Sequence, residues 1–395
     1  MRGVNRIVVG ICGGIAAYKV PQLIRLLIEK GVETKVVLTP NSFNLVGIEA
    51  LKTVSQNPVY SDSATNYDMD HIRLADWAQK LLICPATANT IAKIAHGIGD
   101  NLLTTLALSL KESQIIVAPA MNTTMWESKA NQANIEIIRE RGITVLPVGY
   151  GMLACGVTGA GRMLDLEDIV SYTVTSSKSN SLFKGKKILI SSGPTEEPID
   201  PVRVITNRSS GKMGAALARE ALIMGAEVTV VSGPTKEKFP SSVKVENVTT
   251  AQEMFDAMRK YFTDADICIM AAAVSDYRVA NYSESKIKRN ENGTLTVELY
   301  PNPDILASLG KDKGHRFVVG FALESSDDES LAIEKMEKKG CDLIVFNRAD
   351  KSLGLNSTQI TILGKQGFRE SLEAIDKSQA AQKILESIAA QTGRL

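Results

Sequence analysis

One cysteine stands where a packed side chain is hard to accommodate. In LACGVTGAGRM, residues 153–163, Cys155 sits among glycines, and the segment closes on Arg162 and Met163. Structural cysteines ordinarily pack inside a strand or helix, whereas a thiol on a glycine-rich stretch can serve as a flexible catalytic group. Upstream, APAMNTTMW over 118–126 leaves a strand and presents Asn122 between two methionines, in a loop with apolar anchors. GICGGIAAYK sets Gly10, Gly13 and Gly14 between a strand and a helix, where backbone amides can hold a phosphate. A tight turn that needs glycine for steric reasons explains the run equally, and its spacing is not the G-x-G-x-x-G of dinucleotide sites. In CPATANT, Thr87, Ala88 and Asn89 suit either a mononucleotide phosphate or a helix cap.

A second set of candidates begins near residue 191. SSGPTEEPIDPVRVITNRSSGKMG ends a strand at Ser192, Gly193 and Thr195, then places Ser209, Ser210, Gly211 and Lys212 before a helix. Serine, glycine and lysine at a helix N-terminus make a phosphate cradle or an ordinary capped turn; the Walker spacing is absent. AAAVSDYRV, 271–279, reads as the end of a buried strand carrying Asp276 to the surface. SKIKR supplies Lys286, Lys288 and Arg289, as a solvated basic turn or as charge opposite a polyphosphate. NPDIL, 302–306, reads as a turn capping a helix, and Lys335 and Lys339 stand four apart, on one helical face.

These candidates require elements to position them. Short β-branched runs alternate with helical patterns: IVVGIC, ETKVVLT, KLLICPA, QIIVAPA and ITVLPV, then KILISSG, EVTVVSG, KVENV, ADICIMAAA, RFVVGFA and CDLIVFN. Continuous apolar strands spaced by helices predict two Rossmann-like, three-layer α/β domains with mostly parallel sheets, whose ligands collect at the carboxyl ends of strands. The serine-rich VTSSKSNSLFKGK separates them, giving domains 1–178 and 186–395 and a linker 179–185. At 395 residues the chain is long enough for two or three cores. A net charge of +1 and 5% aromatic residues argue against nucleic acid or an anionic membrane as partner. No apolar stretch approaches the ~20 residues of a membrane span, so the cytoplasm is the expected location. Five scattered cysteines form no C-x-x-C pair, Cys84 and Cys268 read as buried strand residues, and three histidines favour no metal site.

In the first half, GICGGIAAYK, PATANTIAKIAHGIGDNLL, PAMNTTMW and ACGVTGAGRM, with His71 in MDHIRLADWA, resemble the motif series of the flavin-dependent cysteine decarboxylases. The resemblance covers residues 1 to about 178. It implies FMN held by Gly13, Gly14, Ile15, Thr39, Thr87, Ala88 and Asn89. It also implies a cysteinyl substrate contacted by Met121, Arg162 and Met163, the arginine offering a fork to an anionic group. Loss of CO2 from a cysteinyl amide would leave an unstabilised carbanion. The family first oxidises the thiol to a thioaldehyde, making the carboxylate β to an electron sink, and later reduces the enethiolate. His71 is then the base of the oxidation, Asn122 the carboxylate ligand and Cys155 the acid of the reductive half.

In the second half, TEEPIDPVRVITNRSSGKMG, AAAVSDYR, KIK and NPDIL resemble the phosphopantothenate–cysteine ligases from about residue 186 onward. This implies activation of phosphopantothenate by CTP as an acyl-cytidylate, followed by attack of the cysteine amine. Lys286 would support the first step and Asn207 the second. The nucleotide would lie against Ser210, Gly211, Met270, Ala271, Ala272, Asp276, Asn302, Pro303, Asp304, Ile305, Phe321, Lys335 and Lys339. Mg²⁺ is expected on the triphosphate without protein ligands. Together the halves are those of the fused family, whose members assemble through trimeric decarboxylase and dimeric ligase contacts, so a homo-oligomer, up to a dodecamer, is expected. Two other readings compete: a decarboxylase of peptide C-terminal cysteine, which the ligase-like half disfavours, and a binding protein without catalysis, which would not need His71, Cys155, Asn207 and Lys286.

Overall fold

The computed structural model of the chain describes residues 4–62, 69–154, 156–174, 182–288, 293, 295–324, 328–348 and 357–393. It divides into two compact units, Met1–Asn180 with Pro240–Ser242, and Ser181–Phe239 with Val243–Leu395. Residues 179–181 of the expected linker lie outside the described residues. Among the described residues, no helix is long and apolar enough to cross a membrane.

The first unit runs β1 (Arg6–Ile11), α1 (Val20–Glu29), β2 (Glu33–Leu38), α2 (Ile48–Ser55), β3 (Val59–Ser61), α3 (Asp70–Trp77) and β4 (Lys80–Ala86). It continues through α4 (Ala88–His96), α5 (Leu102–Leu108), β5 (Ile115–Pro119), α6 (Thr123–Glu127), α7 (Lys129–Glu140) and β6 (Thr144–Val145). A hairpin of β7 (Gly149–Met152) and β8 (Thr158–Arg162) leads to α8 (Leu166–Val174). Among the described residues the main sheet has the order β3-β2-β1-β4-β5-β6, parallel throughout. β4 is buried at every position, Cys84 included, as its unbroken apolar run predicts. Val8, Leu81, Ile83 and Val117 pack one face under α4, α5 and α7, while α1 carries Leu23, Ile24 and Leu27 inward among its own buried residues.

The second unit begins with β9 (Lys187–Ser192), an arm of β10 (Glu196–Pro198) and β11 (Val204–Thr206), α9 (Lys212–Ile223), β12 (Glu227–Ser232) and β13 (Lys244–Asn247). Next come α10 (Ala251–Phe262), β14 (Ile267–Met270), a second arm of β15 (Tyr277–Val279) and β16 (Leu299–Pro301), α11 (Ile305–Lys311), β17 (Phe317–Glu324) and α12 (Glu329–Lys338). It ends in β18 (Leu343–Arg348), β19 (Ser357–Gly364), β20 (Arg369–Asp376) and α13 (Lys377–Thr392). The sheet order is β13-β12-β9-β14-β17-β18-β19-β20, parallel up to β18 and antiparallel thereafter. Alternation sorts its residues cleanly. Ile188, Ile190, Val228, Val230, Val319 and Val345 face α9 and α13, while Leu189, Val231, Cys268, Val318 and Ile344 face α10, α11 and α12.

The strand expected to run to Ala273 stops at Met270, so 271–276 form an irregular loop rather than a strand end. β3, β19, β20 and both arms are additions to the elements read from the sequence. β20 is polar and mostly exposed, RESLEAID, because its outer face meets solvent, so the apolar signal of the inner strands is missing.

One packed carboxyl has a consequence. Glu220 on α9 is 7% exposed, and burial pushes its pKa up to about 7, with Arg219 opposing and Asp376 and Glu386 adding to the rise. The unfolded chain releases this proton from about pH 4.5 and the folded chain only near 7, so the group's contribution to stability falls as pH rises across that window. Glu220→Gln is therefore expected to exceed the parent in stability at pH 8 by about 2–3 kcal/mol. Denaturant titrations should show that advantage shrinking towards pH 4.5.

Candidate functional sites

In the first unit, the loops leaving β1, β2 and β4 enclose a cavity of about 440 Å³ lined by Gly13, Thr39, Thr87, Ala88 and Asn89, with Asn41 and Lys93 among its other walls. Each group is fixed for a local reason. Thr39 ties its N–H and hydroxyl to Ile11 O at 3.0 and 3.2 Å. Thr87 is the N-cap of α4, its hydroxyl accepting from Thr90 N, so the first-turn amides of the helix face the loop region. Lys93 pairs with Asp100 at 2.7 Å. A Cβ on Gly13 would lie 2.5 Å from Asn41 Cβ, so a side chain there would close the cradle. Gly14 lies beside Thr87, and Ile15 is 61% exposed at the start of a 3-10 turn.

The expected decarboxylase groups are more dispersed. Asn122 caps α6, its Oδ1 accepting from Thr124 N at 2.9 Å. Met121 N donates to Gly161 O, which ties this loop to β8. Arg162 ends β8, 3.2 Å from Asp165 and partly exposed. Met163, expected at the substrate, is 2% exposed and packs on Cys84 Sγ, inside the core. His71 lies half-exposed in the first turn of α3, on the loop side of the sheet but not among the residues lining the cavity. Cys155 lies outside the described residues.

The second unit holds a larger cleft of about 730 Å³ at the carboxyl ends of β9, β14, β17 and β18. It gathers Asn207, Ser210, Gly211, Met270, Ala271, Ala272, Asp276, Asn302, Pro303, Asp304, Ile305, Phe321, Lys335 and Lys339 from five separate stretches of sequence. Backbone braces set its floor. Gly233 N donates to Ser192 O and Ala273 N to Gly193 O, each at 2.9 Å. Gly193 has φ +73°, and a Cβ on Gly233 would fall 1.7 Å from Pro194 O, so these crossings exclude side chains.

Above that floor, Asn207 Nδ2 donates to Ala273 O and Val274 O at 3.2 and 3.0 Å. Two carbonyl acceptors fix the amide orientation and leave Oδ1 as its other end. Asn302 Nδ2 donates to Ser275 O, and Asp304 caps α11 through Ala307 N. The two lysines four apart are both engaged: Lys335 Nζ donates to Phe321 O at 3.0 Å and Lys339 pairs with the Asp304 carboxylate.

Lys286 is not among the cleft's lining residues. It is exposed beside Ile287, whose N–H donates to Asp200 Oδ2 at 3.1 Å and whose carbonyl accepts from Arg203 Nη2 at 3.1 Å. Asp200, 1% exposed, also accepts from Val202 N and Arg203 N at 2.9 Å and is paired with Arg203. Arg203 and these backbone amides hold its carboxyl well below the usual range. This clasp was invisible in the sequence because it links residues 84 and 87 apart. Arg289 lies outside the described residues. Lys212, Asn347 and Lys377 also line the cleft, and Asn347 Oδ1 is buried with no hydrogen-bond partner among the described residues. A strand-terminal Asn and a single helix-start Lys carry no motif. Among the described residues, no group of three or more His, Cys, Asp or Glu is placed to hold a metal.

Comparison with known proteins adds family to geometry. The family model described as flavoprotein matches residues 1–178, and that of the DNA/pantothenate metabolism flavoprotein C-terminal domain matches 183–392. The coenzyme A biosynthesis bifunctional protein CoaBC of Vibrio vulnificus (strain YJ016) is 42% identical over 392 residues, 97% of either chain. That of Escherichia coli (strain K12) is 40% identical over 360 residues, 89% of this chain and 88% of its own. That of Borreliella burgdorferi is 36% identical over 385 residues, 96% of this chain and 98% of its own.

The backbone crossing makes a specific expectation. Gly233→Ala should destabilise the second unit by about 3 kcal/mol, the upper end of overpacking effects, because a carbonyl rather than a mobile side chain must yield. Chemical denaturation would check this; an unchanged midpoint would show that the crossing is looser than described.

Proposed function

The chain belongs to the family of bifunctional coenzyme A biosynthesis proteins, which join a ligase to a decarboxylase, and we propose a specific reaction for each unit. The second unit condenses 4'-phosphopantothenate with L-cysteine, converting CTP to CMP and pyrophosphate. The first then decarboxylates 4'-phosphopantothenoylcysteine to 4'-phosphopantetheine with FMN. The observation that carries this reading is the 730 Å³ cleft, where Asn207, the Ser210–Gly211 turn, Asp276, the 302–305 turn, Phe321 and two lysines converge.

A carboxylate does not acylate an amine unaided. Its oxygen attacks the α-phosphorus of CTP, pyrophosphate departs, and the resulting anhydride carbonyl is open to the cysteine nitrogen. CMP then leaves and the nitrogen loses its proton. Lys286 opposes the negative charge that builds on the phosphates in the first step. The Asp200–Arg203 clasp positions it by gripping both sides of the next residue's backbone. Asn207 serves the second step, presenting Oδ1 from an amide already pinned by two carbonyls. Mg²⁺ would supply charge neutralisation to the triphosphate without calling on a protein ligand.

In the first unit, the Gly13 cradle, the Thr39 and Thr87 hydroxyls and the first turn of α4 fit a mononucleotide phosphate. FMN supplies the two-electron acceptor and donor that the thiol chemistry requires. His71 takes the thiol proton, Asn122 and Arg162 bind anionic ends of the substrate, and Cys155 returns a proton in the reductive half. The trimeric and dimeric contacts of the family, and a cytoplasmic setting, belong to the same reading.

Trapping experiments separate the steps. Lys286→Gln should form no acyl-cytidylate, whereas Asn207→Asp should accumulate it, detectable as a nucleotide adduct after rapid quench. In the other unit, Cys155→Ser should release CO2 without yielding phosphopantetheine. Normal turnover by any of these variants removes that residue from its role, and equal rates with all four nucleoside triphosphates would overturn the choice of CTP.

A further inference from the structure

The ligase cleft extends to two lysines that none of the preceding steps uses. Lys212 opens α9 and Lys377 opens α13, and both line the large cavity and a smaller one of about 200 Å³ that shares this wall. Lys335 and Lys339 answer to protein acceptors; Lys377 makes no hydrogen bond or ion pair among the described residues. Its surroundings are poor for a cation. Burial and the Lys212 ammonium hold its pKa below the ordinary lysine value, with Glu237 acting in the opposite direction. Arg219, Glu237 and Asp376 complete the charged groups on the smaller cavity. Lys377 and Lys212 share that half-buried wall, and their like charges there favour a multiply charged anion.

We propose that Lys377, with Lys212, binds a phosphate group of a ligase substrate. A phosphate suits the site because it brings more than one negative charge to two point cations and offers several acceptor oxygens to their donors. The group is either the polyphosphate chain of the nucleotide or the phosphoryl end of phosphopantothenate. The inference rests on reading this cleft as the ligase site, and it adds a residue from the last helix to that site's machinery.

The test uses the full chain and inorganic pyrophosphate, which needs no turnover. Pyrophosphate should raise the melting temperature of the parent protein, and Lys377→Gln should weaken its apparent affinity about tenfold or more, the loss of one charge-assisted contact. Lys377→Arg should recover part of the effect. Lys383→Gln, on the same helix but paired with Glu386 at the surface, is the control for helix damage and should match the parent. Equal stabilisation by pyrophosphate in the parent and in Lys377→Gln overturns the proposal. Steady-state ligation then assigns the source. A KM increase confined to CTP places the polyphosphate at Lys377, one confined to phosphopantothenate places its phosphoryl end there, and no change in either overturns the site. A parent chain that binds pyrophosphate through Lys377 yet never ligates would sink the ligase reading and leave the anion site standing.

Discussion

Backbone crossing backbone, with no side chain between, is the contact on which the ligase cleft depends. At the ends of β9 and β12 the chain passes itself at Gly193, Pro194 and Gly233 closely enough that a methyl group would overlap a carbonyl. That proximity lets Gly193 O reach Ala273 N and Thr195 N reach Ala273 O. The loop at 271–276 is thereby suspended from the sheet by main-chain bonds. Asn207 and Asn302 then use carbonyls of that loop as anchors. The cleft's amide side chains thus stand on peptide geometry rather than on side-chain packing, which gives little room for drift.

The chain's near-neutral charge hides how unevenly that charge is placed. With 45 basic and 44 acidic residues, the whole molecule offers no long-range attraction to an anion. Inside the cleft, Arg208, Lys212, Lys335, Lys339 and Lys377 face Asp276 and Asp304. Attraction to an anion is accordingly a short-range matter, set inside the cleft by where these side chains stand.

The fold class was legible in the sequence because inner parallel strands are buried on both faces and so read as unbroken apolar runs. Cys84 and Cys268 sit at 0% exposure in β4 and β14, where such runs put them. What escaped notice lacked that signal. The arms β10–β11 and β15–β16 are three residues per strand, and β20 alternates with solvent. The nucleotide candidates around the cleft came from recognisable motifs in loops. Asp200 lies within one of these motifs, but its tie to Ile287 spans 87 residues, and Lys377 looks like any lysine beginning a helix. Met163 shows the opposite case. It adjoins a motif, yet β8 delivers it to the core against Cys84.

The antiparallel turn-back of β19 and β20 has a temporal side. It returns the chain so that α13 lies on α9, with Ala380, Ala381, Ile384, Leu385 and Ile388 sealing the same apolar layer as Leu217 and Ala221. Until that helix has left the ribosome, one flank of α9 stays bare to water, and the cleft lacks the wall that Lys377 lines. Parallel strands made more than a hundred residues earlier must wait for a late arrival. During synthesis the second unit therefore closes its apolar layer only once this helix is in place.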